Sequence, residues 1–168
     1  MAWLAKGVAN LFLDFAQETS GTIDPLEMQK LVYLGEGWHL ALLDSSLVIE
    51  QFEAWKRGPV VPALYHGLKG FGAGPIQGRL MEFDYGLNRV TQAPRPNTPD
   101  SRGLVKEVCS VYRRYTGGQL VAITHEPGSP WDVTWRQANR APDARIDKGL
   151  IRDWFKEKAA QSRTRNIS

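Results

Sequence analysis

The strongest constraint on the fold is a helix-starting signal that occurs three times: a capping residue followed directly by proline. The three pairs are Asp24 and Pro25, Thr98 and Pro99, and Ser129 and Pro130. The side-chain oxygen of such a residue accepts a hydrogen bond from a first-turn N–H, and proline is tolerated at the first helical position. Glu27 adds a capping box after Asp24. These signals predict three helices with defined first residues.

Apolar spacing and glycine or proline breaks predict the remaining elements. Helices are predicted at 3–18, 25–43, 120–125 and 147–160, with two more that begin at Pro99 and Pro130. The helix from Pro99 is predicted to stop at Gly117 and Gly118. Helix 25–43 carries a stripe of Met28, Leu31, Gly35, Trp38 and Leu42. Alternation within Arg79–Val90 predicts two strands with a turn at 86–88. The prediction is a mainly α protein: a compact bundle of about five to seven helices with a small β-hairpin or ribbon insertion. Residues 1–160 are predicted to form one domain, and residues 161–168 a disordered basic tail.

Composition narrows the class and compartment of the protein. The chain has 168 residues and one cysteine, Cys109, which we interpret as a small buried apolar residue. A lone cysteine fits a reducing cytoplasm. The first residues do not read as a signal peptide, and no apolar run approaches 18 residues, so we expect a cytoplasmic protein without a membrane anchor.

Charge is distributed unevenly along the chain. Residues 1–100 carry 8 Lys and Arg against 11 Asp and Glu, whereas residues 101–168 carry 13 against 7. Lys148, Arg152 and Lys156 share one face of the last predicted helix and suit a phosphate or an acidic protein surface equally. No recognition helix is evident, so nucleic acid is an unlikely partner.

Residues with catalytic chemistry are few. His39, His66 and His125 lack metal-ligand spacing, and the sequence has no phosphate-binding loop, so neither a metal nor a cofactor is expected. His125 and Glu126 could act as an acid–base pair with Ser129 as nucleophile. Ser129 also fits a helix cap, which is the simpler interpretation. An uncharacterised enzyme that uses His39, His125 and Glu126 therefore stays open as an alternative.

The segment "FEAWKRGPVVPALYHGLKGFG", residues 52–72, combines a turn, a short helix and exposed charge. Gly58 and Pro59 predict the turn, and Pro62 suits the first turn of a helix. Four apolar residues are predicted to face inward: Val61, Leu64, Tyr65 and Leu68. Lys56, Arg57 and His66 then point outward beside Trp55 and Tyr65. Trp55 fits the core or a contact, whereas Arg57 fits a contact.

Three segments together resemble one family. They are "LEMQKLVYLGEGWHLAL", residues 52–72 and "LVAITHEPGSPWD". Their order and spacing are similar to those of the Panacea domain of SocA-like antitoxins, which includes the phage-associated GepA proteins. The resemblance spans about residues 8–155. Two positions depart from the family pattern: Arg57 replaces an aromatic residue before Gly-Pro, and Gly35-Glu36 stands where Ala-Gln is common.

The resemblance implies a non-enzymatic antitoxin that neutralises a cognate toxin protein, encoded by the adjacent gene, through direct protein–protein binding. It also implies an alternative: an adaptor that delivers a partner to a protease. Family members often carry extra DNA-binding regions, but we expect none within these 168 residues. The predicted partner-binding residues are Trp55, Lys56, Arg57, Tyr65, His66, His125, Glu126 and Trp131.

Overall fold

The computed structural model describes residues 1–141 and 143–167, the last three of these by their backbone alone. The helices are α1 (Ala5–Glu18), α2 (Pro25–Leu43), α3 (Pro62–Leu68), α4 (Pro99–Tyr112), α5 (Gly117–Thr124), α6 (Pro130–Gln137) and α7 (Lys148–Ile167). The strands are β1 (Phe52–Trp55), β2 (Gly58–Val60), β3 (Met81–Asp84), β4 (Arg89–Gln92) and β5 (Ala144–Ile146). A 3₁₀ turn, Lys69–Phe71, continues α3. The predicted class, mainly α with a small β insertion, is confirmed.

Helix α2 lies at the centre and contacts α1, α3, α4, α5 and α7. It begins as the capping signal predicts: Glu27 N donates to Asp24 Oδ1 at 2.8 Å, and Asp24 N donates to Glu27 Oε1 at 3.3 Å. Because other helices surround it, α2 buries four polar residues: Gln29, Lys30, Glu36 and His39. The predicted one-sided stripe is wrong at its end, since Leu42 is 54% exposed.

Helix α7 packs closely on α2. A Cβ atom at Gly37 would lie 2.2 Å from Phe155 Cε2, so glycine is what permits this contact. The group that a side chain at Gly37 would meet is therefore an aromatic ring of α7. The helix continues to Ile167, past the predicted end at Ala160 and into the segment predicted as a disordered tail.

A three-stranded antiparallel sheet has the order β2-β1-β5. Glu53 pairs with Val60 across β1 and β2, and Phe52 pairs with Ile146 across β1 and β5. The sequence predicted a turn at Gly58 and Pro59, but the turn lies at Lys56 and Arg57, and Gly58 and Pro59 belong to β2. Strand β5 was not predicted. The sheet fixes the turn between β1 and β2 against the helical core.

The hairpin of β3 and β4 confirms the strand prediction for Arg79–Val90, with Phe83 opposite Val90. Asp84 Oδ1 accepts hydrogen bonds from Gly86 N at 2.9 Å and Leu87 N at 3.0 Å and so closes the turn. Five large apolar residues of this hairpin are exposed: Met81, Phe83, Tyr85, Leu87 and Val90.

Helix α5 corrects one prediction. Gly117 and Gly118 do not stop the preceding helix, which ends at Tyr112, but begin α5. Thr116 caps α5: Gln119 N donates to Thr116 Oγ1 at 3.2 Å, and Thr116 N donates to Gln119 Oε1 at 2.8 Å. This capping box outweighs the low helix propensity of two glycines.

Candidate functional site

A cavity of about 620 Å³ opens between the start of α2, the β1–β2 turn and α3 with its 3₁₀ extension. Four cationic side chains line it: Lys30, Lys56, Arg57 and Lys69. Trp55 and Tyr65 supply aromatic walls. Among the described residues that line it, Asp24 is the one with a carboxylate. We call this feature the cationic cavity. It brings together four of the eight predicted partner-binding residues: Trp55, Lys56, Arg57 and Tyr65.

Gly58 determines the shape of the β1–β2 turn. Its φ of 112° lies in the region that favours glycine. A Cβ atom here would lie 2.7 Å from Lys30 Cε and 2.9 Å from Thr124 Oγ1. The turn therefore packs directly on the Lys30 side chain, and it leaves Lys56 and Arg57 exposed.

Sequence reasoning missed two of the four cations that line the cavity, Lys30 and Lys69, and Lys30 is the buried one. Its side chain is fully buried, and Nζ donates to Pro59 O at 2.9 Å. Burial lowers the pKa of this amine from 10.5 to about 7, with a further contribution from the nearby Arg57 charge. A signal was present: α2 has only three charged residues in nineteen, which is typical of a helix buried on all sides.

Trp55, Tyr65 and His66 form an aromatic cluster at the edge of the cavity. The Trp55 and Tyr65 rings meet edge to face with centroids 5.0 Å apart, and Tyr65 and His66 do so at 5.6 Å. Trp55 is half-buried and donates Nε1–H to Glu53 Oε2 at 2.7 Å. Tyr65 is 39% exposed, so the prediction that it packs inward is wrong. Its position next to Trp55 is as predicted.

His125 and Trp131 lie behind this cluster. Their rings stack with centroids 3.6 Å apart, and Trp131 Nε1 donates to Trp55 O at 2.7 Å. His125 Nε2 is buried and has no hydrogen-bond partner among the described residues. Burial lowers the pKa of His125, as does the Lys30 charge, while Asp132 opposes the change. These two residues therefore support the strand that carries Trp55.

Glu126 lies elsewhere. Its two carboxylate oxygens accept hydrogen bonds from Lys158 Nζ at 2.8 and 2.9 Å, beside a separate cavity of about 170 Å³ that Trp154 also lines. Glu126 and His125 are adjacent in sequence but lie in different environments. Glu126 therefore does not line the cationic cavity.

The residues of the enzyme alternative have unrelated partners. His39 is buried and bonds through Nδ1 to Ser45 O and through Nε2 to Ser101 Oγ at 2.8 Å, which ties α2 to α4. Ser129 caps α6 by accepting from Asp132 N at 3.2 Å, as the capping interpretation predicts. No nucleophile–base hydrogen bond links Ser129 to His125 in the part of the chain that the structure describes.

The basic face of α7 is largely occupied. Lys148 Nζ lies 3.3 Å from Glu36 Oε1, and Lys156 Nζ lies 2.7 Å from Asp44 Oδ1. Arg152 Nε lies 3.0 Å from Asp153 Oδ1, so all three predicted cations pair within the chain. Over residues 1–141 and 143–167, no cluster of three or more His, Cys, Asp or Glu side chains is placed to hold a metal ion. No helix in those ranges is long and apolar enough to cross a membrane.

Comparison with known proteins agrees with the resemblance seen in the three motifs. The family described as "Antitoxin SocA-like, Panacea domain" matches residues 28–132. This chain belongs to the SocA-like Panacea family. A curated relative, the antitoxin SocA of Caulobacter vibrioides (strain NA1000 / CB15N), is 35% identical over 156 residues, which cover 90% of this chain and 82% of the relative. No solved structure matches.

The Panacea match includes most of the residues that line the cationic cavity. It begins at Met28, two residues before Lys30, and ends at Asp132, just after Trp131. Most of α2, the β1–β2 turn and α3 therefore lie inside it, whereas α1 and α7 lie outside. Asp24, Pro25 and Leu26, which also line the cavity, precede the match.

Proposed function

We propose that this protein is a cytoplasmic antitoxin that neutralises a cognate toxin protein by binding it directly, without catalysis. The observation that carries the proposal is the 35% identity to a curated antitoxin across 90% of this chain. Such coverage includes every element of the fold that positions the site. The toxin is expected to be the product of the adjacent gene.

The contact surface that we propose is centred on the β1–β2 turn and the aromatic cluster. Lys56 and Arg57 are exposed and have no acidic partner among the described residues. Arg, Trp and Tyr are the residue types that dominate interface energetics. Exposed charge on a turn held by a sheet can meet a partner without a change in the fold, and it would steer an acidic surface toward the turn.

Co-expression with the adjacent gene tests the proposal. Growth rescue together with a stable co-purified complex is the expected result. Rescue with loss of the partner from lysates, and without a complex, would instead indicate a protease adaptor. Absence of both toxicity and a complex would contradict the antitoxin proposal.

A charge-reversal pair tests the contact surface. Lys56→Glu with Arg57→Glu is expected to abolish rescue while the thermal unfolding temperature stays close to that of the wild type. The matched control is Arg102→Glu with Lys106→Glu, which reverses two exposed cations of α4 that do not line the cationic cavity. Equal rescue by both pairs would contradict the assignment of this surface.

A further inference from the structure

The floor of the cationic cavity is a buried amine without a counter-ion, and because its pKa is about 7 it is charged only in part at neutral pH. Lys30 is fully buried, yet its ammonium makes one hydrogen bond, to Pro59 O, although it has three protons to donate. No carboxylate of the described chain forms an ion pair with it. A buried cation is costly unless it is paired, so the site is incomplete as it stands.

The rim adds to this imbalance. Arg57 lies close enough to Lys30 for its charge to lower the pKa of the lysine, and Lys56 and Lys69 also line the cavity. The Asp24 carboxylate accepts from Glu27 N at 2.8 Å, so it is engaged in capping α2. The cavity therefore has four cations and one carboxylate that already has a structural role, which favours an anionic occupant.

The walls indicate which kind of anion fits. Trp55 and Tyr65 stand edge to face beside the cations, and Leu26, Val60 and Leu68 add aliphatic surface. The start of α2 also faces the cavity, but Pro25 has no N–H and Glu27 N is used by Asp24. The backbone donors that usually hold a free phosphate at a helix start are thus reduced. A carboxylate flanked by apolar groups suits these walls better.

We infer that the cationic cavity binds an acidic segment of the partner protein, with an Asp or Glu carboxylate directed at Lys30 and Arg57. An apolar side chain of the same segment packs against Trp55 and Tyr65. Charge-assisted hydrogen bonds from Lys30 and Arg57 would strengthen the contact. The aromatic wall would make the cavity select a peptide over a free ion. The inference rests on the proposed function only in identifying that partner as the toxin.

A peptide titration of the full chain tests the inference. The probes are two blocked peptides, acetyl-Gly-Glu-Phe-Glu-Gly-amide and its glutamine counterpart acetyl-Gly-Gln-Phe-Gln-Gly-amide, together with inorganic phosphate. Binding is followed by ¹⁵N NMR at the Trp55 indole and the Gly58 amide, both at the cavity, with the Trp154 indole, which does not line the cavity, as a reference. This readout detects millimolar affinity.

We expect the acidic peptide to bind the wild type at least tenfold more tightly than the glutamine peptide. Lys30→Met and Arg57→Gln should each remove most of that preference, whereas Lys106→Met, an equal loss of charge on α4, should retain it. Arg57 is exposed in a turn, so Arg57→Gln should not disturb the fold. It therefore still tests the inference if Lys30→Met alters the fold. Equal binding of the two peptides, or a preference that survives both variants, would overturn the inference.

Phosphate distinguishes the two sources of negative charge. Phosphate binding at the same resonances as tightly as the acidic peptide would overturn the assignment to a protein segment. The peptide result is also independent of growth rescue. If the acidic peptide is preferred through Lys30 but growth is not rescued, the cavity assignment stands and the antitoxin proposal is contradicted. If growth is rescued but neither peptide is preferred, the antitoxin proposal stands and the cavity assignment is contradicted.

Discussion

Replacing Lys30 by methionine should change how the stability of the protein depends on pH. Methionine keeps the length and apolar body of the side chain and removes its charge. The folded-state pKa of Lys30 is about 7, whereas the amine has an ordinary pKa of 10.5. Between these two values the unfolded chain binds a proton that the folded chain does not, so the wild type gains stability as pH rises.

The magnitude follows from the two pKa values. One pH unit is worth about 1.4 kcal/mol where the folded amine is neutral and the unfolded one is charged. Because half of the folded amine is already neutral at pH 7, the free energy of unfolding of the wild type should rise by about 2 kcal/mol from pH 7 to pH 9 relative to Lys30→Met. His125, whose pKa is lowered, and Glu27, whose pKa is raised to about 7, are present in both proteins, so their own contributions cancel in this comparison.

Urea unfolding at pH 7, 8 and 9 measures this difference, with fluorescence of the tryptophans as the signal. Lys106→Met is the control: Lys106 is exposed on α4, and its removal should leave the pH dependence of the wild type unchanged. Parallel curves for the wild type and Lys30→Met would refute the reasoning. They would mean that the amine keeps its ordinary pKa, with water or a counter-ion in the cavity.

Three further substitutions test how a buried ion pair, the β1–β2 turn and an exposed ion pair contribute to stability. Glu36→Ala should lower the free energy of unfolding by about 3 kcal/mol or more in urea, because it removes a buried carboxylate and leaves Leu47 N and Val48 N unpaired. Gly58→Ala should lower the melting temperature by several degrees, since φ is positive and the new methyl group would meet Lys30. Lys158→Met should change stability by less than about 1 kcal/mol in the same urea assay, because its pair with Glu126 is partly exposed.

Features set by local chemistry could be predicted from the sequence. Asp24, Thr98 and Ser129 cap helices as predicted because the bond from a capping oxygen to the backbone two or three residues on needs no distant partner. The hairpin at Arg79–Val90 was predictable for the same reason, as alternation and a turn signal lie within twelve residues. The resemblance then supplied the family, which the comparisons confirm.

Features set by distant contacts could not be predicted from pattern alone. Strand β5 has only three residues and exists because Ile146 and its neighbours pair with β1. Glu126 and His125 are adjacent in sequence, but α7 brings Lys158 to one of them while α6 brings Trp131 to the other. The arrangement of the candidate site therefore depends on how α6 and α7 pack, which local propensity does not determine.

Two buried charges in α2 show how structural and functional roles can be told apart. Glu36 accepts from Leu47 N and Val48 N at 2.8 Å and from Ser46 Oγ at 2.6 Å, and its fourth neighbour is Lys148. Its charge is fully compensated, so it joins α2 to the segment before β1. Lys30, two turns earlier, has one bond and faces a cavity lined by three further cations. A buried amine without a counter-ion lowers the stability of the fold, and a carboxylate from a partner would supply the missing counter-ion. Residues with such an unfavourable environment are typical of functional sites. That contrast favours Lys30 over Glu36 as a contact for the partner.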